Sequence, residues 1–204
     1  MHKKQAMQLR DIDINKEYSY ADYYAWKFDD RVELINGHIY KMMPGPSSLH
    51  QEICGNIYSV VKNYLQDKSC KIFFAPFDVR LPKKGIDDKS IFTVLQPDIC
   101  VICDLSKIDR RGCVGAPDIV VEILSRGNNS KELKKKYEVY EESGVLEYWI
   151  VSPQYQTVTI YTLTDGKFHP SRMMTTGDIV TSSVLPGFEL DLTEIFKDVG
   201  SDED

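Results

Sequence analysis

The stretch Gly115-Ala116-Pro117-Asp118-Ile119-Val120-Val121-Glu122-Ile123-Leu124-Ser125 decides the fold. Residues 119–124 are almost wholly apolar, which is typical of a strand buried on both faces of a sheet. A helical pattern follows at residues 131–143, and a second apolar run follows at residues 147–151. A strand, a turn, a helix and a second strand in this order predict an α/β fold.

One charged residue, Glu122, interrupts the apolar run. An unpaired carboxylate in a buried strand costs roughly several kcal/mol, so this side chain needs a partner. A metal ion and a lysine are the two obvious candidates.

The following helix supplies a lysine for this purpose. Leu133, Tyr137 and Tyr140 recur at i, i+4 and i+7, which predicts that they form the inward stripe of the helix. Lys136 lies three residues after Leu133, at the edge of that stripe, whereas Lys134 and Lys135 point away from it. The pattern therefore directs one lysine of three toward the strand that carries Glu122.

Length and composition favour one globular domain. The chain has 204 residues and no apolar run near the ~20 residues of a membrane span. We expect an extension at residues 1–17, one domain at residues 18–196 and an acidic, disordered tail at residues 197–204. The N-terminus lacks the apolar core of a signal peptide, and the five cysteines stand mostly in apolar contexts. Together these features favour a reducing cytoplasm and no membrane partner.

The net charge of −6 argues against a protein that coats DNA without sequence preference, because such proteins carry a basic face. An enzyme that holds cations between its carboxylates and substrate phosphates can be acidic overall. The net charge therefore makes a nucleic-acid function less favoured without excluding it.

Local signals place further polar residues on buried elements. Asn36-Gly37 between two apolar runs predicts a hairpin, and Glu33 stands near the middle of its first strand. A helix is predicted at residues 49–66, with His50 at its inward N-terminal end. Asp98 begins another apolar strand, directly after Gln96-Pro97.

These residues form a constellation with a possible chemistry. Acidic side chains from different elements that meet beside a lysine make a site for a hard cation, and Mg²⁺ is held by one or two carboxylates. Such an ion polarises a phosphodiester, and a lysine stabilises the charge that develops on the phosphorus oxygens. The parts fit metal-assisted phosphodiester hydrolysis, and they are Glu33, Asp98, Glu122, Lys136 and His50.

The ordered series of these residues resembles the PD-(D/E)xK nuclease superfamily, in which Pro-Asp is followed by an acid and then by a lysine. The match is closer to the Uma-two branch of that superfamily, and it covers roughly residues 18–196. The segments that carry the resemblance are Glu33 to Gly37, Pro44 to His50, Phe73 to Leu81, Gln96 to Asp98, Gly112 to Ser125 and Gly144 to Pro153.

The resemblance implies a restriction-endonuclease-like fold, with a mixed central sheet flanked by helices. Alternation at residues 157–163 and a turn at Asp165-Gly166 before residues 168–174 predict a C-terminal β meander that extends it. The resemblance also implies an endonuclease that cuts DNA with Mg²⁺ or Mn²⁺, and a homodimer, because cutting two strands needs two sites. Asp98 and Glu122 would hold the cation, with Glu33 as an auxiliary carboxylate. Lys136 would replace the lysine of the motif, whose usual position is Leu124 here. The resemblance makes Gln96 and His50 auxiliary groups of the site.

Simpler interpretations of the same residues stay open. Residues 83–90 and 126–130 are candidates for substrate contact by position alone.

The alternative function is a catalytically inactive module that keeps the nuclease fold and binds nucleic acid or protein. The structural alternatives are a Glu122–Lys136 pair without catalysis, an i,i+4 pair of Lys136 with Glu132, a turn capped by Asp98, a solvent-facing Glu33 and a His50 that only bonds a neighbour at the helix entry.

Overall fold

The computed structural model describes residues 9, 12–26, 30–42, 45–125 and 130–197. Most of the predicted tail, part of the predicted N-terminal extension and most of the turn at residues 126–130 lie outside these ranges. The helices are α1 Tyr20–Ala25, α2 Ser48–Tyr64, α3 Ser130–Ser143 and α4 Leu192–Ile195. The strands are β1 Val32–Ile35, β2 His38–Lys41, β3 Lys71–Phe74, β4 Val79–Arg80, β5 Val94–Leu95, β6 Ile99–Ile102, β7 Ile108–Asp109, β8 Gly112–Val114, β9 Ile119–Ile123, β10 Glu147–Ser152, β11 Thr157–Thr164, β12 Lys167–Pro170, β13 Met174–Thr175, β14 Ile179–Thr181 and β15 Glu189–Asp191.

The central sheet of the described chain has the strand order β12-β11-β10-β9-β6-β3, with β13 also paired to β11. Strands β9 and β10 run parallel, because α3 returns the chain between them, and the other neighbours run antiparallel. Strands β10, β11 and β12 form an antiparallel meander at the C-terminal side. The predicted α/β class, the mixed sheet and the meander are therefore confirmed.

A second sheet lies beside the first, and the sequence did not predict it. Its strand order is β2-β1-β5-β4-β8-β7. Its hairpin β1–β2 turns at Asn36 and Gly37, which have φ of 51° and 82°, as the Asn-Gly signal predicts. This sheet carries Glu33 on β1, which is buried along its whole length.

The two faces of the central sheet are covered by different helices. Ile119, Val121 and Ile123 of β9 pack in the same core as the buried side of α2. Val120 packs in the other core, with Val139 and Tyr140 of α3. Because side chains alternate along a strand, Glu122 shares the face of Val120 and points toward α3.

The buried side of α3 differs in detail from the predicted stripe. Its buried residues are Lys136, Val139 and Tyr140, whereas Leu133 and Tyr137 are only half-buried. Lys136 thus lies within the buried side of the helix rather than at its edge. Lys136 can lie inside because Glu122 and Glu33 are its charged partners there, and a buried ammonium needs such partners.

The structure joins two of the five cysteines. Cys70 and Cys103 flank the antiparallel pair β3–β6 and form a disulfide, while Cys54, Cys100 and Cys113 are free. The cysteines therefore do not all fit the pattern of a reducing compartment, and the cytoplasmic location stays a prediction. No helix in the described part of the chain is long and apolar enough to span a membrane.

Candidate active site

The centre of the site is the ammonium group of Lys136. Its Nζ lies 3.1 and 3.2 Å from the two carboxylate oxygens of Glu122 and 3.2 Å from Oε2 of Glu33. The three side chains come from α3, β9 and β1, and the residues are 6%, 8% and 1% exposed. The solvent-facing interpretation of Glu33 is therefore wrong, and the charged partners of Lys136 are Glu122 and Glu33 rather than Glu132.

Neutral donors complete the bonding of both glutamates. The Tyr140 hydroxyl donates to Oε1 of Glu122 at 2.9 Å. The backbone N–H of Gln96 donates to Oε1 of Glu33 at 2.8 Å. Buried carboxylates need such partners, so the arrangement holds both side chains in one position.

Asp98 stands beside this group, immediately before β6. Its Oδ2 accepts the backbone N–H of Ile123 at 2.7 Å and lies 3.2 Å from Nε2 of His50. Because Ile99 pairs with Val121 across β6 and β9, the same register places Asp98 opposite Glu122. The first turn of α2 supplies His50, whose Nδ1 is buried without a hydrogen-bond partner among the described residues.

The charges of the site do not balance. Three carboxylates, those of Glu33, Asp98 and Glu122, lie around one lysine and one histidine. Burial raises the pKa of Glu122, and Asp98 and Glu33 raise it further, although Lys136 opposes the change. Burial alone would lower the pKa of Lys136, but Glu122 and Glu33 outweigh burial and raise it. Lys136 is therefore held as an ammonium ion amid surplus negative charge.

The pKa of His50 is also shifted by the neighbouring carboxylates. Burial lowers the pKa of His50, but the hydrogen bond and the charge of Asp98 outweigh burial and raise it. The alternative that His50 bonds a neighbour at the helix entry agrees with this contact, and the neighbour is a predicted metal ligand.

A cleft of about 180 Å³ opens onto these residues. Its lining includes side chains that the sequence predicted, namely His50, Gln96, Asp98, Glu122 and Lys136. Glu33 is not part of the lining and contacts the cleft through Lys136. The structure thus brings the predicted residues together at one end of the central sheet.

Sequence reasoning missed a polar network at the rim of the cleft. The side-chain amide of Gln96 donates to Asp78 Oδ1 at 2.9 Å and to the Tyr23 hydroxyl oxygen at 3.1 Å. Its Oε1 accepts from Arg31 Nη2 at 2.8 Å. These contacts join residues that are far apart in sequence, so no local pattern could have shown them.

The donor set fits a hard divalent cation. The described residues contain no cluster of three or more His, Cys, Asp and Glu side chains close enough to hold a metal without other ligands. Mg²⁺ does not need one, because it is usually bound by one or two carboxylates together with waters and substrate phosphates. Asp98 and Glu122 are opposite each other at the cleft, and the surplus negative charge favours a cation there.

Comparisons with known proteins agree on family and fold. The model of the Uma2 family, described as "Putative restriction endonuclease", matches residues 20–193. No curated protein matches the chain. A crystal structure from Anabaena variabilis, described as "a putative nuclease belonging to DUF820", has a TM-score of 0.69 and 18% sequence identity.

The structural match covers 88% of this chain and 97% of the Anabaena chain. At this identity the match shows the fold alone, and it confirms the restriction-endonuclease-like arrangement. The family match spans most of the chain and confirms the resemblance that the ordered motifs indicated. By this family match, the chain belongs to the Uma2 family of restriction-endonuclease-like proteins.

Proposed function

We propose that this chain is a divalent-metal-dependent endonuclease that hydrolyses DNA phosphodiester bonds. The observation that carries the proposal is the buried ammonium of Lys136 between two carboxylates, with Asp98 next to them at the cleft. Two carboxylates that share one ammonium, with a third carboxylate beside them at an open cleft, form the kind of cluster of interacting ionisable groups that is typical of catalytic sites.

Asp98 and Glu122 would hold Mg²⁺ or Mn²⁺. When bound, the cation polarises the phosphodiester and lowers the pKa of a nearby water. The protein fixes the two carboxylates in advance, because Ile123 N–H and His50 orient Asp98 while Tyr140 and Lys136 orient Glu122. This arrangement reduces the entropy lost when the substrate phosphate is positioned.

Lys136 would serve as a cation and a hydrogen-bond donor. Glu122 and Glu33 raise its pKa, which favours the ammonium form. An ammonium at this place stabilises the negative charge that grows on the phosphorus oxygens. Glu33 acts through Lys136, because it contacts Nζ and not the cleft.

The partners and the domain bounds follow as further proposals. The nuclease domain would span residues 18–196, with DNA as substrate. Two copies would associate, since cutting both strands of a duplex needs two sites. Light scattering on the purified protein measures the mass in solution, and a monomer would contradict the homodimer.

Cleavage of supercoiled plasmid tests the function. Wild type is compared with Glu122→Gln and Asp98→Asn, in Mg²⁺, in Mn²⁺ and with chelator. We expect nicking only with the cation, and a loss of about 100-fold or more in each variant. Glu147→Gln is the matched control, because Glu147 is a second buried glutamate of the same sheet that does not line the cleft.

Two other outcomes would change the assignment, and a third would refine the role of Lys136. If wild type cuts nothing and calorimetry shows no cation binding, the chain is the inactive module that keeps the fold. If Lys136→Arg, which keeps a positive charge, cuts as poorly as Glu122→Gln, the position of Nζ matters. Full activity in Lys136→Met would contradict the role of Lys136.

A further inference from the structure

An aromatic side chain stands exposed in the cleft. Phe74, the last residue of β3, is 55% exposed and lines the same cleft as Asp98 and Glu122. Single exposed apolar residues are ordinary on protein surfaces. This one is unusual because it lies among the polar residues of the candidate active site.

The position of Phe74 is fixed by its neighbours. It pairs with Ile99 across β3 and β6, and the next residue, Ala75, donates its N–H to the carbonyl of Asp98 at 3.1 Å. The ring of Tyr58 from α2 meets the Phe74 ring edge-to-face, with centroids 5.0 Å apart. The ring is therefore held beside the predicted cation ligand.

The same cleft also has a positively charged side chain, that of Arg31, which could bind a phosphate. Among the described residues, the arginine and lysine side chains that line the cleft are Arg31 and Lys136. Lys136 is engaged by two carboxylates, whereas the exposed guanidinium of Arg31 bonds the neutral amide oxygen of Gln96. Gln96 is itself held by Asp78, so Arg31 has a defined position and a charge available to an incoming phosphate.

We propose that the cleft takes nucleic acid as an unpaired nucleotide, with its base stacked on Phe74 and a backbone phosphate bound by Arg31. This inference rests on the proposed nuclease function and narrows its substrate class. A base in a duplex is already stacked on both faces, so the Phe74 ring reaches a base only where the strand is single or opened. Stacking on an aromatic side chain increases the affinity about 10- to 100-fold per base.

Binding of labelled DNA to the full chain tests the proposal, with chelator present to prevent cleavage. Fluorescence anisotropy compares a single-stranded oligonucleotide with the same sequence as a duplex. We expect wild type to prefer the single strand and Phe74→Ala to lose about 10- to 100-fold of single-strand affinity, with duplex affinity unchanged. Phe74→Leu, which keeps apolar volume without a π face, should lose a similar amount.

Two variants sharpen the test. Phe74→Trp should keep the affinity, and its added fluorescence should be quenched by the single strand and not by the duplex. Arg31→Gln should weaken binding and reduce the slope of log affinity against log salt by about 0.7, as expected for one lost phosphate contact on a single strand. Tyr155→Ala is the matched control, because Tyr155 is an exposed aromatic residue that does not line the cleft.

Equal single-strand affinity in wild type and Phe74→Ala, or a wild type that prefers duplex, would overturn the inference. Plasmid nicking by the same preparations separates this failure from that of the proposed function. If the wild type nicks plasmid and Phe74→Ala has no effect on binding, the proposed substrate class is wrong and the nuclease function stands. If Phe74→Ala weakens binding but the wild type does not nick plasmid, the nuclease function is wrong and the nucleotide-binding site stands.

Discussion

Glu122 and Glu147 are buried glutamates on the neighbouring strands β9 and β10, and their surroundings differ in kind. Glu147 is 1% exposed and accepts hydrogen bonds from Trp149 Nε1 at 2.9 Å and Ser182 Oγ at 2.8 Å. It also accepts from the N–H and the hydroxyl of Ser183, both at 2.6 Å. All of these donors are neutral, whereas Glu122 shares one ammonium with a second carboxylate.

The two side chains also face opposite sides of the central sheet. Glu147 pairs with Ile119 in the parallel ladder, and Ile119 belongs to the core under α2. Glu122 faces α3 and the cleft. Burial of a carboxylate is therefore not a functional signal in itself. Surplus charge and access to a cleft are the features that distinguish Glu122.

The largest effect on stability is expected from Lys136→Met. Removing the ammonium leaves two buried carboxylates facing each other, which should cost about 3–5 kcal/mol of unfolding free energy. Denaturant unfolding measures this loss. Lys134→Met, at an exposed position of the same helix, should change stability by less than about 0.5 kcal/mol. Equal effects of the two changes would contradict the burial of a charged triad.

A second substitution isolates the cause of that loss. Glu33→Gln removes one of the two carboxylates, so the double variant with Lys136→Met should be more stable than Lys136→Met alone. Strictly additive effects would mean that the charges of Glu33 and Lys136 do not interact.

Glu147→Gln should lose about 2–3 kcal/mol, because the new amide turns N–H groups toward donors that need an acceptor. Below its melting temperature it should cut plasmid at the wild-type rate. Thermal unfolding and nicking assays on one preparation check both statements. A loss of cleavage without a loss of stability would show that this glutamate also serves the reaction.

A divalent cation at a saturating concentration should raise the unfolding free energy of the wild type by about 1–3 kcal/mol. The reason is that a ligand that binds the folded state and not the unfolded state stabilises the folded state. The shift in melting temperature with Mn²⁺ measures this. Asp98→Asn should abolish the shift, and Glu147→Gln should retain it. The same shift in Asp98→Asn would place the cation elsewhere.

The smallest effect is expected from Ser183→Ala. It removes one of the four donors to Glu147 and leaves the backbone N–H of the same residue in place. The expected loss is about 1 kcal/mol by denaturant unfolding, with no change in cleavage. A loss as large as that of Glu147→Gln would mean that the hydroxyl dominates the binding of the carboxylate.

Much of the site could be predicted because short local patterns in the sequence identify its main residues. Glu122 interrupts an apolar run, Glu33 stands inside a short hairpin strand, and Asp98 begins a strand after a proline. Each of these signals spans only a few residues. The ordered family motifs then joined them into one site, and the structure places all three around the cleft or directly behind it.

The remaining features depend on distant pairings that no local period encodes. Arg31 joins the site through Gln96, 65 residues away, and Tyr140 meets Glu122 across 18 residues. The second sheet consists largely of strands of two or three residues, which are too short to show alternation. The buried side of α3 includes Lys136 with its two ion pairs, so the stripe of apolar residues alone predicts the orientation of the helix only approximately.

The disulfide between Cys70 and Cys103 affects which side chain of β3 faces the cleft. Strand β3 is the last strand of its sheet, so β6 is its one strand neighbour in the described part of the chain, and the register of such an edge strand can slip. A slip of one residue would turn Phe74 to the opposite face. The disulfide ties the far end of the strand, about 13 Å from Phe74, and opposes that slip, which would turn the Cys70 side chain away from Cys103. A covalent bond outside the cleft thereby fixes which side chain stands beside Asp98.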